Sequence, residues 1–206
     1  PDTQVIVTTG ASQALDIVFR TLLEPGSEVV IPAPAYPGYE PLLLMNGARP
    51  VFVDTTASGF HIDAGRLDAA ITDRTRAVVV PSPNPTGTAV DADSLAAISR
   101  VVAGRGIYVL SDEIYSEITF AGPHACAGTV PDIHDQTIVI NGLSKSHAMT
   151  GWRIGFTLAS AALTEQLLKA HQYSATCATS ISQFAAIEAL TTGRADAEPM
   201  RDEYRR

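Results

Sequence analysis

The chain of 206 residues contains little cysteine and little charge. Its two cysteines, Cys126 and Cys177, are far apart and form no CxxC pattern, so the sequence predicts no disulfide framework and is compatible with a reducing cytoplasm. Only 17% of the residues are charged, whereas 46% are hydrophobic. This composition is typical of one large domain with a sizeable core, and we expect it to be cytoplasmic.

Long apolar runs and an excess of positive charge are also missing. No apolar run reaches the ~18 residues of a membrane helix, and the first residues contain no basic-then-apolar signal. The formal net charge is -8 and the pI is about 5.0. Because such a chain is repelled by polyanions, we expect neither a nucleic-acid partner nor a membrane partner.

Histidine and cysteine offer little for a metal ion. The five histidines are scattered, and only His124-Ala125-Cys126 brings the two residue types close together. Packing and loop roles are far commoner for such a pair than metal ligation, so no metal site is predicted.

The apolar pattern alternates between short β-rich runs and longer helical stretches. Strands are predicted over residues 5–7, 28–31, 50–54, 77–81, 107–110, 137–140 and 153–158. Helices are predicted over residues 11–23, 36–46, 63–71, 161–171 and 180–191, with one more from a cap at Asp91 or Asp93 to about residue 103. Continuous apolar strands such as residues 77–80 are expected where helices cover both sheet faces. The sequence therefore predicts a three-layer α/β/α domain with a mostly parallel, doubly wound sheet.

Ligands in such folds bind at the carboxyl ends of the strands, so the loops there are the place to search for chemistry. After the first strand, small residues at Gly10, Ala11 and Ser12 open a helix whose free amides favour an anion. Asn84 lies in a loop pinned by two prolines, and its amide can donate to a ligand oxygen. Taken singly, the first feature is more often a helix cap, and the second is as often a rigid turn.

Two further strand ends carry charged groups. Asp112 follows a buried strand, where a carboxylate is costly to ionise unless a cation or donors face it. Lys145 follows another strand and could act as a nucleophilic amine, and Arg153 could bind a phosphate in fork geometry. Singly, Asp112 could cap a helix or form a local ion pair, and Lys145 could be a solvated surface group. Together, these groups match pyridoxal 5'-phosphate (PLP), which has a phosphate, a ring nitrogen, a phenolic oxygen and an aldehyde.

The motifs, in this order, resemble those of the class I/II aminotransferases of fold type I, the aspartate aminotransferase superfamily. The resemblance covers essentially the whole chain, and its strongest piece is SK followed by GxRxG within residues 144–155. It implies a PLP transferase that moves an amino group between an amino acid and a 2-oxo acid through a Lys145 Schiff base. Residues 171–183 are similar to a subgroup that includes N-acetyl-diaminopimelate aminotransferases.

The resemblance also implies roles for individual residues. Lys145 is the Schiff-base lysine and proton carrier, and Asp112 is the partner of the cofactor ring nitrogen. Asn84 and Tyr115 donate to the phenolic oxygen, and Tyr36 stacks on the ring. The phosphate is held by Gly10, Ala11, Ser12, Ser144 and Arg153. Ser144 is assigned because Gly142 stands three residues before the lysine, where many relatives have a phosphate-binding serine.

The resemblance further implies that residues 1–206 are the PLP-binding large domain of a longer protein. The missing parts would be an N-terminal segment and a C-terminal small domain with the arginine for the substrate carboxylate. A homodimer is implied, with local support from the apolar, weakly charged residues 174–190. Two alternatives stay open: a PLP-dependent carbon-sulfur lyase on the same fold, and the PLP-sensing domain of a transcription regulator.

Overall fold

The computed structural model of the chain describes residues 2–120 and 122–205, which form one seven-stranded sheet covered by helices. The strands are β1 (Val5–Thr8), β2 (Glu28–Ala33), β3 (Arg49–Asp54), β4 (Thr75–Pro81), β5 (Tyr108–Asp112), β6 (Thr137–Gly142) and β7 (Gly155–Leu158). The helices are α1 (Gly10–Leu22), α2 (Tyr39–Met45), α3 (Ala64–Ala70), α4 (Ala92–Val102), α5 (Ala161–Ser174), α6 (Ser180–Leu190) and α7 (Ala197–Tyr204). None of these helices is long and apolar enough to cross a bilayer.

The sheet order is β1-β7-β6-β5-β4-β2-β3, and β7 alone among these strands runs against its neighbours. Along β4, Ala77 and Val79 pack in the cluster that contains α1, α2 and α5, whereas Val78 and Val80 pack in the cluster that contains α3 and α4. Alternate side chains point to opposite faces of a strand, so a run of apolar residues fills both layers. This confirms the predicted three-layer α/β/α fold with a mostly parallel sheet.

The buried helix faces match the apolar spacing in the sequence. In α1, Ala14, Leu15, Val18 and Phe19 are at most 2% exposed. Burial of each of the larger side chains contributes about 1.5–3 kcal/mol. Of the two predicted N-caps of α4, Asp91 and Asp93, the structure shows Asp91, whose carboxylate accepts a hydrogen bond from the amide of Ser94 at 2.8 Å.

Most predicted boundaries differ from the structure by one to three residues, and three of these differences bear on the site. The predicted strand 107–110 extends as β5 to Asp112, which is therefore the last strand residue rather than a loop residue. The predicted helix 36–46 begins only at Tyr39, because Pro37 disfavours the helical conformation at Tyr36. The predicted strand 153–158 begins at Gly155, and Arg153 before it has a left-handed backbone with φ 54°.

The reversed direction of β7 explains how Arg153 reaches the other strand ends. Gly155 pairs with Thr8 at the end of β1 and with Gly142 at the end of β6. Arg153 therefore precedes a strand instead of following one, yet it lies at the same edge of the sheet. The antiparallel β7 is compatible with the predicted mostly parallel sheet, and its start lies at the edge where the other predicted site residues converge.

Close backbone contacts at this edge require glycine. A Cβ on Gly155 would lie 2.6 Å from the amide nitrogen of Ala11 and 2.6 Å from the carbonyl carbon of Gly10. A Cβ on Gly142 would lie 2.8 Å from the carbonyl oxygen of Ile154. The second contact leaves no room for a side chain at position 142.

We expect Gly155→Ala to destabilise the protein, because its Cβ would meet backbone atoms that cannot move aside without shifting α1. Overpacking of this kind costs about 1–3 kcal/mol, which lowers the melting temperature by about 2 to 12 °C for a domain of this size. Gly151→Ala is the matched control, since a Cβ at Gly151 would have nothing within 4 Å. Equal melting temperatures for the two variants in a thermal melt would contradict the prediction.

Candidate active site

A cleft of about 180 Å³ lies at the edge where β4, β5 and β6 end and where β7 begins. It brings together most of the residues singled out in the sequence. The predicted residues that line it are Ala11, Ser12, Tyr36, Asp112, Tyr115, Ser144, Lys145 and Arg153. Side chains separated by more than 140 residues in the chain thus surround one space.

Two predicted residues lie just outside the lining. A Cβ on Gly10 would lie 2.9 Å from Cζ of Arg153, so the absent side chain makes room for the guanidinium group. Asn84 is buried, and its Nδ2 donates to the carbonyl oxygen of Pro34 at 2.9 Å. Its neighbours Pro83 and Pro85 line the cleft. The Oδ1 of Asn84 is buried without a hydrogen-bond partner among the described residues.

Asp112 is the buried acid of the cleft, with 7% of its surface exposed. Its Oδ2 accepts a hydrogen bond from the hydroxyl of Tyr39 at 2.7 Å, and its Oδ1 accepts a longer one from the amide of Ile114 at 3.3 Å. Burial raises the pKa of Asp112, and the hydrogen bond from Tyr39 opposes that rise. A carboxylate in this environment is stabilised by a cation or an N–H donor in the cleft.

The sequence reasoning missed Tyr39, which also lines the cleft. Its ring packs edge to face against Tyr36, with the ring centroids 5.4 Å apart and an interplanar angle of 86°. The spacing of three residues between the two tyrosines was not a usable signal, because α2 begins only at Tyr39 and Tyr36 lies outside it. The contact of Tyr39 with Asp112 could not be read from that spacing.

Lys145 lies in a turn directly after β6 and is half-buried. Its Nζ is 5.5 Å from the ring centroid of Tyr115, a cation–π distance that holds the amine over an aromatic face. The turn is closed by the hydroxyl of Thr150, which donates to the carbonyl oxygen of Ser144 at 2.9 Å. The amine therefore faces the cleft on a turn with internal hydrogen bonds.

The other end of the cleft is suited to an anion. The side chain of Thr9 does not cap α1, and Oε1 of Gln13 accepts from the amide of Thr9 at 2.6 Å. The following amides of the first turn are available at the positive end of the helix dipole. The Nη1 of Arg153 donates to the carbonyl oxygen of Thr150 at 2.9 Å. The loop is fixed from outside by Ser182 of α6, whose hydroxyl donates to the carbonyl oxygen of Trp152 at 2.7 Å.

The left-handed backbone of Arg153 costs about 1–3 kcal/mol for a residue other than glycine. Met149 and Ile154 of the same loop are buried in a cluster with Leu143, Ala178 and Ala186, which anchors the loop in this conformation. Strain that the surrounding packing maintains is typical of positions that serve a ligand.

A second buried carboxylate lies beside the cleft. Glu113 accepts hydrogen bonds from Ser111 Oγ at 2.9 Å and from the amide of Ala127 at 3.1 Å, and its Oε2 lies 2.8 Å from Nε2 of His124. Burial raises the pKa of the nearby Cys126 thiol to about 11. Within residues 2–120 and 122–205, no three His, Cys, Asp or Glu side chains are arranged to hold a metal ion.

The residues of the cleft fit PLP. The space made by Gly10 holds the guanidinium of Arg153 beside the uncapped helix start, a donor set that matches a phosphate. The buried carboxylate of Asp112 matches a protonated ring nitrogen, and the amine of Lys145 matches an aldehyde. Asn84 lies between Pro83 and Pro85, which line the cleft, and its Oδ1 has no hydrogen-bond partner among the described residues.

Fold and cleft together define a fold type I transferase domain, and comparison with known proteins identifies its family. The family model described as aminotransferase class I and II matches residues 1–206. The chain belongs to this family, which confirms the resemblance read from its motifs.

The names of individual relatives agree with this family assignment. The chain is 52% identical over 206 residues to a protein of Bacillus subtilis (strain 168) named a probable N-acetyl-LL-diaminopimelate aminotransferase, of which it covers 52%. It is 38% identical over 205 residues to an aspartate aminotransferase of Geobacillus stearothermophilus, again covering 52% of that protein. The chain therefore spans about half the length of these relatives.

Solved structures share the fold. A double mutant of Thermus thermophilus aspartate aminotransferase superposes with a TM-score of 0.94 at 38% identity, covering 98% of this chain and 54% of that one. The N-succinyldiaminopimelate aminotransferase of Mycobacterium tuberculosis superposes with a TM-score of 0.94 at 35% identity, covering 100% of this chain and 54% of that one.

Proposed function

We propose that this chain carries the cofactor site of a PLP-dependent aminotransferase, which moves an amino group between an amino acid and a 2-oxo acid. The observation that carries the proposal is the convergence of Lys145, Asp112 and Arg153 on one cleft. An amine, a buried carboxylate and a guanidinium are the groups that the aldehyde, ring nitrogen and phosphate of PLP require. Bound PLP supplies an electron sink conjugated to the substrate α-carbon.

Individual residues of the protein have distinct roles in holding the cofactor and moving protons. Lys145 would hold PLP through its aldehyde carbon, and its free amine would carry the proton to and from the substrate α-carbon. Asp112 holds a proton at the ring nitrogen. Tyr115 and Asn84 donate to the phenolic oxygen, and Tyr36 stacks on the ring.

The phosphate is bound by groups from three parts of the chain. The amides of Ala11 and Ser12 and the hydroxyl of Ser12 approach it from the helix start, where Gly10 leaves space for the guanidinium of Arg153. Ser144 adds a hydroxyl from the turn after β6. These groups fix the cofactor at the end opposite to its reacting atoms.

The test is an assay of the full-length protein with PLP. N-acetyl-LL-diaminopimelate is the first donor to try, because the relative at 52% identity bears that name, and aspartate is the second. We expect a visible absorption band from the bound cofactor and a product that forms only when a 2-oxo acid acceptor is present. A thioether amino acid is assayed as well: repeated turnover of it without an acceptor would favour a carbon-sulfur lyase. Cofactor binding without turnover of any of these substrates would favour a sensor domain.

We further propose that residues 1–206 are the PLP-binding large domain of a longer protein. Among the described residues, Arg153 is the one arginine that lines the cleft, and the phosphate occupies it in this proposal. The substrate carboxylate then needs another cation from outside these residues. Because orientation is worth about 10⁵ M or more in effective concentration, we expect residues 1–206 alone to show no amino transfer, and full activity would refute the assignment.

We propose that the full-length protein is a homodimer that covers α6 with a second copy. Four large apolar side chains of this helix are exposed: Ile181 (70%), Phe184 (73%), Ile187 (59%) and Leu190 (49%). An apolar patch of this kind is typical of a protein interface.

Phe184→Asp is expected to shift the dimer to monomer, because it places a charge in an apolar contact. Sedimentation velocity on the full-length protein is the measurement. Phe52→Asp is the control, since Phe52 is also exposed (53%) but lies on the edge strand β3. A monomeric wild-type protein, or a dimer unchanged by Phe184→Asp, would refute the interface.

A further inference from the structure

Tyr39 connects the start of α2 to the acid of the cleft. It is 1% exposed, and its hydroxyl lies 2.7 Å from Oδ2 of Asp112, a residue 73 positions away in the chain. The edge-to-face contact with Tyr36 fixes the ring from the other side. The hydroxyl is therefore held in place by packing and not only by its hydrogen bond.

The direction of this hydrogen bond is settled by the surroundings. Burial, together with the nearby carboxylate, raises the pKa of Tyr39 well above its ordinary value. The phenol thus keeps its proton throughout the working range of pH and always donates. The other oxygen of Asp112 has the amide of Ile114 as its donor, at the longer distance of 3.3 Å.

We propose that Tyr39 is a positioning residue for Asp112: its hydroxyl fixes the carboxylate plane and stabilises the ionised form that accepts the cofactor ring N–H. The inference rests on the proposed function, since it assigns Asp112 to the ring nitrogen. Without the hydroxyl, one carboxylate oxygen loses its short hydrogen bond, and the buried acid becomes easier to protonate. Tyr39 itself need not contact the ring nitrogen.

Other titratable groups also face Asp112. Glu113 is its neighbour on the chain, and its charge raises the pKa of Asp112. The remaining titratable side chains that line the same cleft are Tyr36, Tyr115, Lys145 and Arg153. Tyr39→Phe keeps the ring that packs against Tyr36 and leaves the other groups in place, so a shift in its pH profile can be assigned to the lost hydroxyl.

The test uses pyridoxamine 5'-phosphate, which has the ring and the phosphate of the cofactor but forms no covalent bond to Lys145. Its dissociation constant is measured by titration calorimetry from pH 5 to pH 9 on the full-length apo-protein. We expect Tyr39→Phe to weaken binding by about 10- to 100-fold at neutral pH, the effect of losing a hydrogen bond to a charged group. The acid limb of the profile should move to higher pH.

Inorganic phosphate is the second probe, because it requires only the α1 start and Arg153. Its affinity should be the same in wild type and Tyr39→Phe, whereas general damage to the fold would weaken both ligands. Tyr108→Phe is the matched variant: Tyr108 is on β5 with Asp112 and packs against the same core cluster as Tyr39. It should leave both affinities unchanged. Equal losses for the two ligands in Tyr39→Phe would overturn the inference.

A double-mutant cycle tests whether Tyr39 acts through Asp112. In an Asp112→Asn background, Tyr39→Phe should have little further effect on pyridoxamine 5'-phosphate. Tyr39→Leu removes the same hydroxyl with different packing and should give the same pattern if Tyr39→Phe fails to fold. A wild-type pH profile in both Tyr39 variants would overturn the role of Tyr39 and leave the proposed function intact. Failure of the wild-type protein to bind pyridoxamine 5'-phosphate would overturn both.

Discussion

Lys145→Ala is expected to abolish covalent attachment of PLP and to eliminate measurable amino transfer. In the proposed function, the variant loses both the nucleophile for the aldehyde carbon and the group that carries the α-proton. Loss of the general acid–base role alone lowers the rate by about 10²- to 10⁴-fold. The measurement is borohydride reduction of the PLP-loaded protein followed by mass spectrometry, with the visible band recorded before reduction.

The chain offers a sharp control for this experiment, because it contains just two lysines, Lys145 and Lys169. Lys169 is exposed on α5, where its Nζ donates to Oε1 of Gln166 at 2.8 Å. Lys169→Ala should retain the covalent cofactor and the visible band. PLP fixed by borohydride to Lys169 in the Lys145→Ala variant would show that the assignment of the nucleophile is wrong.

Asp112→Ala is expected to cost far more activity than Asp112→Glu. Removing one partner of a buried charge pair costs about 3–5 kcal/mol, which corresponds to a decrease in kcat/KM of about 10²- to 5 × 10³-fold. Glutamate keeps the negative charge and reaches part of the way to the ring nitrogen despite its longer side chain. The measurement is steady-state kinetics of the full-length enzyme, and near-native transamination in the Ala variant would exclude this role.

The melting temperature of the apo-protein distinguishes the loss of a cofactor contact at Asp112 from damage to the fold. Because burial raises the pKa of Asp112 in the folded state above its unfolded value, folding favours the protonated acid. Its contribution to stability is present at low pH and is lost as the pH rises through the folded pKa. Apo Asp112→Asn should therefore melt no lower than the wild type at neutral pH, whereas the PLP-loaded variant should melt lower than the loaded wild type.

Most of the candidate site could be predicted from the sequence because its residues lie next to strand ends. The apolar runs before Asp112 and Lys145 identify buried strands, and the direction of parallel strands brings their ends to one edge. Asn84 shows the limit of this reasoning. Its place beside the cleft was predictable, but its hydrogen bond to the carbonyl oxygen of Pro34 depends on a loop 50 residues away in the chain.

The sequence by itself determined the order of strands and helices, the two-sided core and the residue types at each strand end. These features are local, since periodicity over a few residues decides which face of an element is apolar. Only the tertiary structure decided that β7 runs against its neighbours, so that Arg153 precedes a strand and still meets the start of α1. The tertiary structure also places the hydroxyl of Tyr39 within hydrogen-bond distance of Asp112 and brings the backbone of Gly155 close to that of Gly10. Such contacts depend on strand order and loop paths, which join distant segments and leave no periodic pattern in either one.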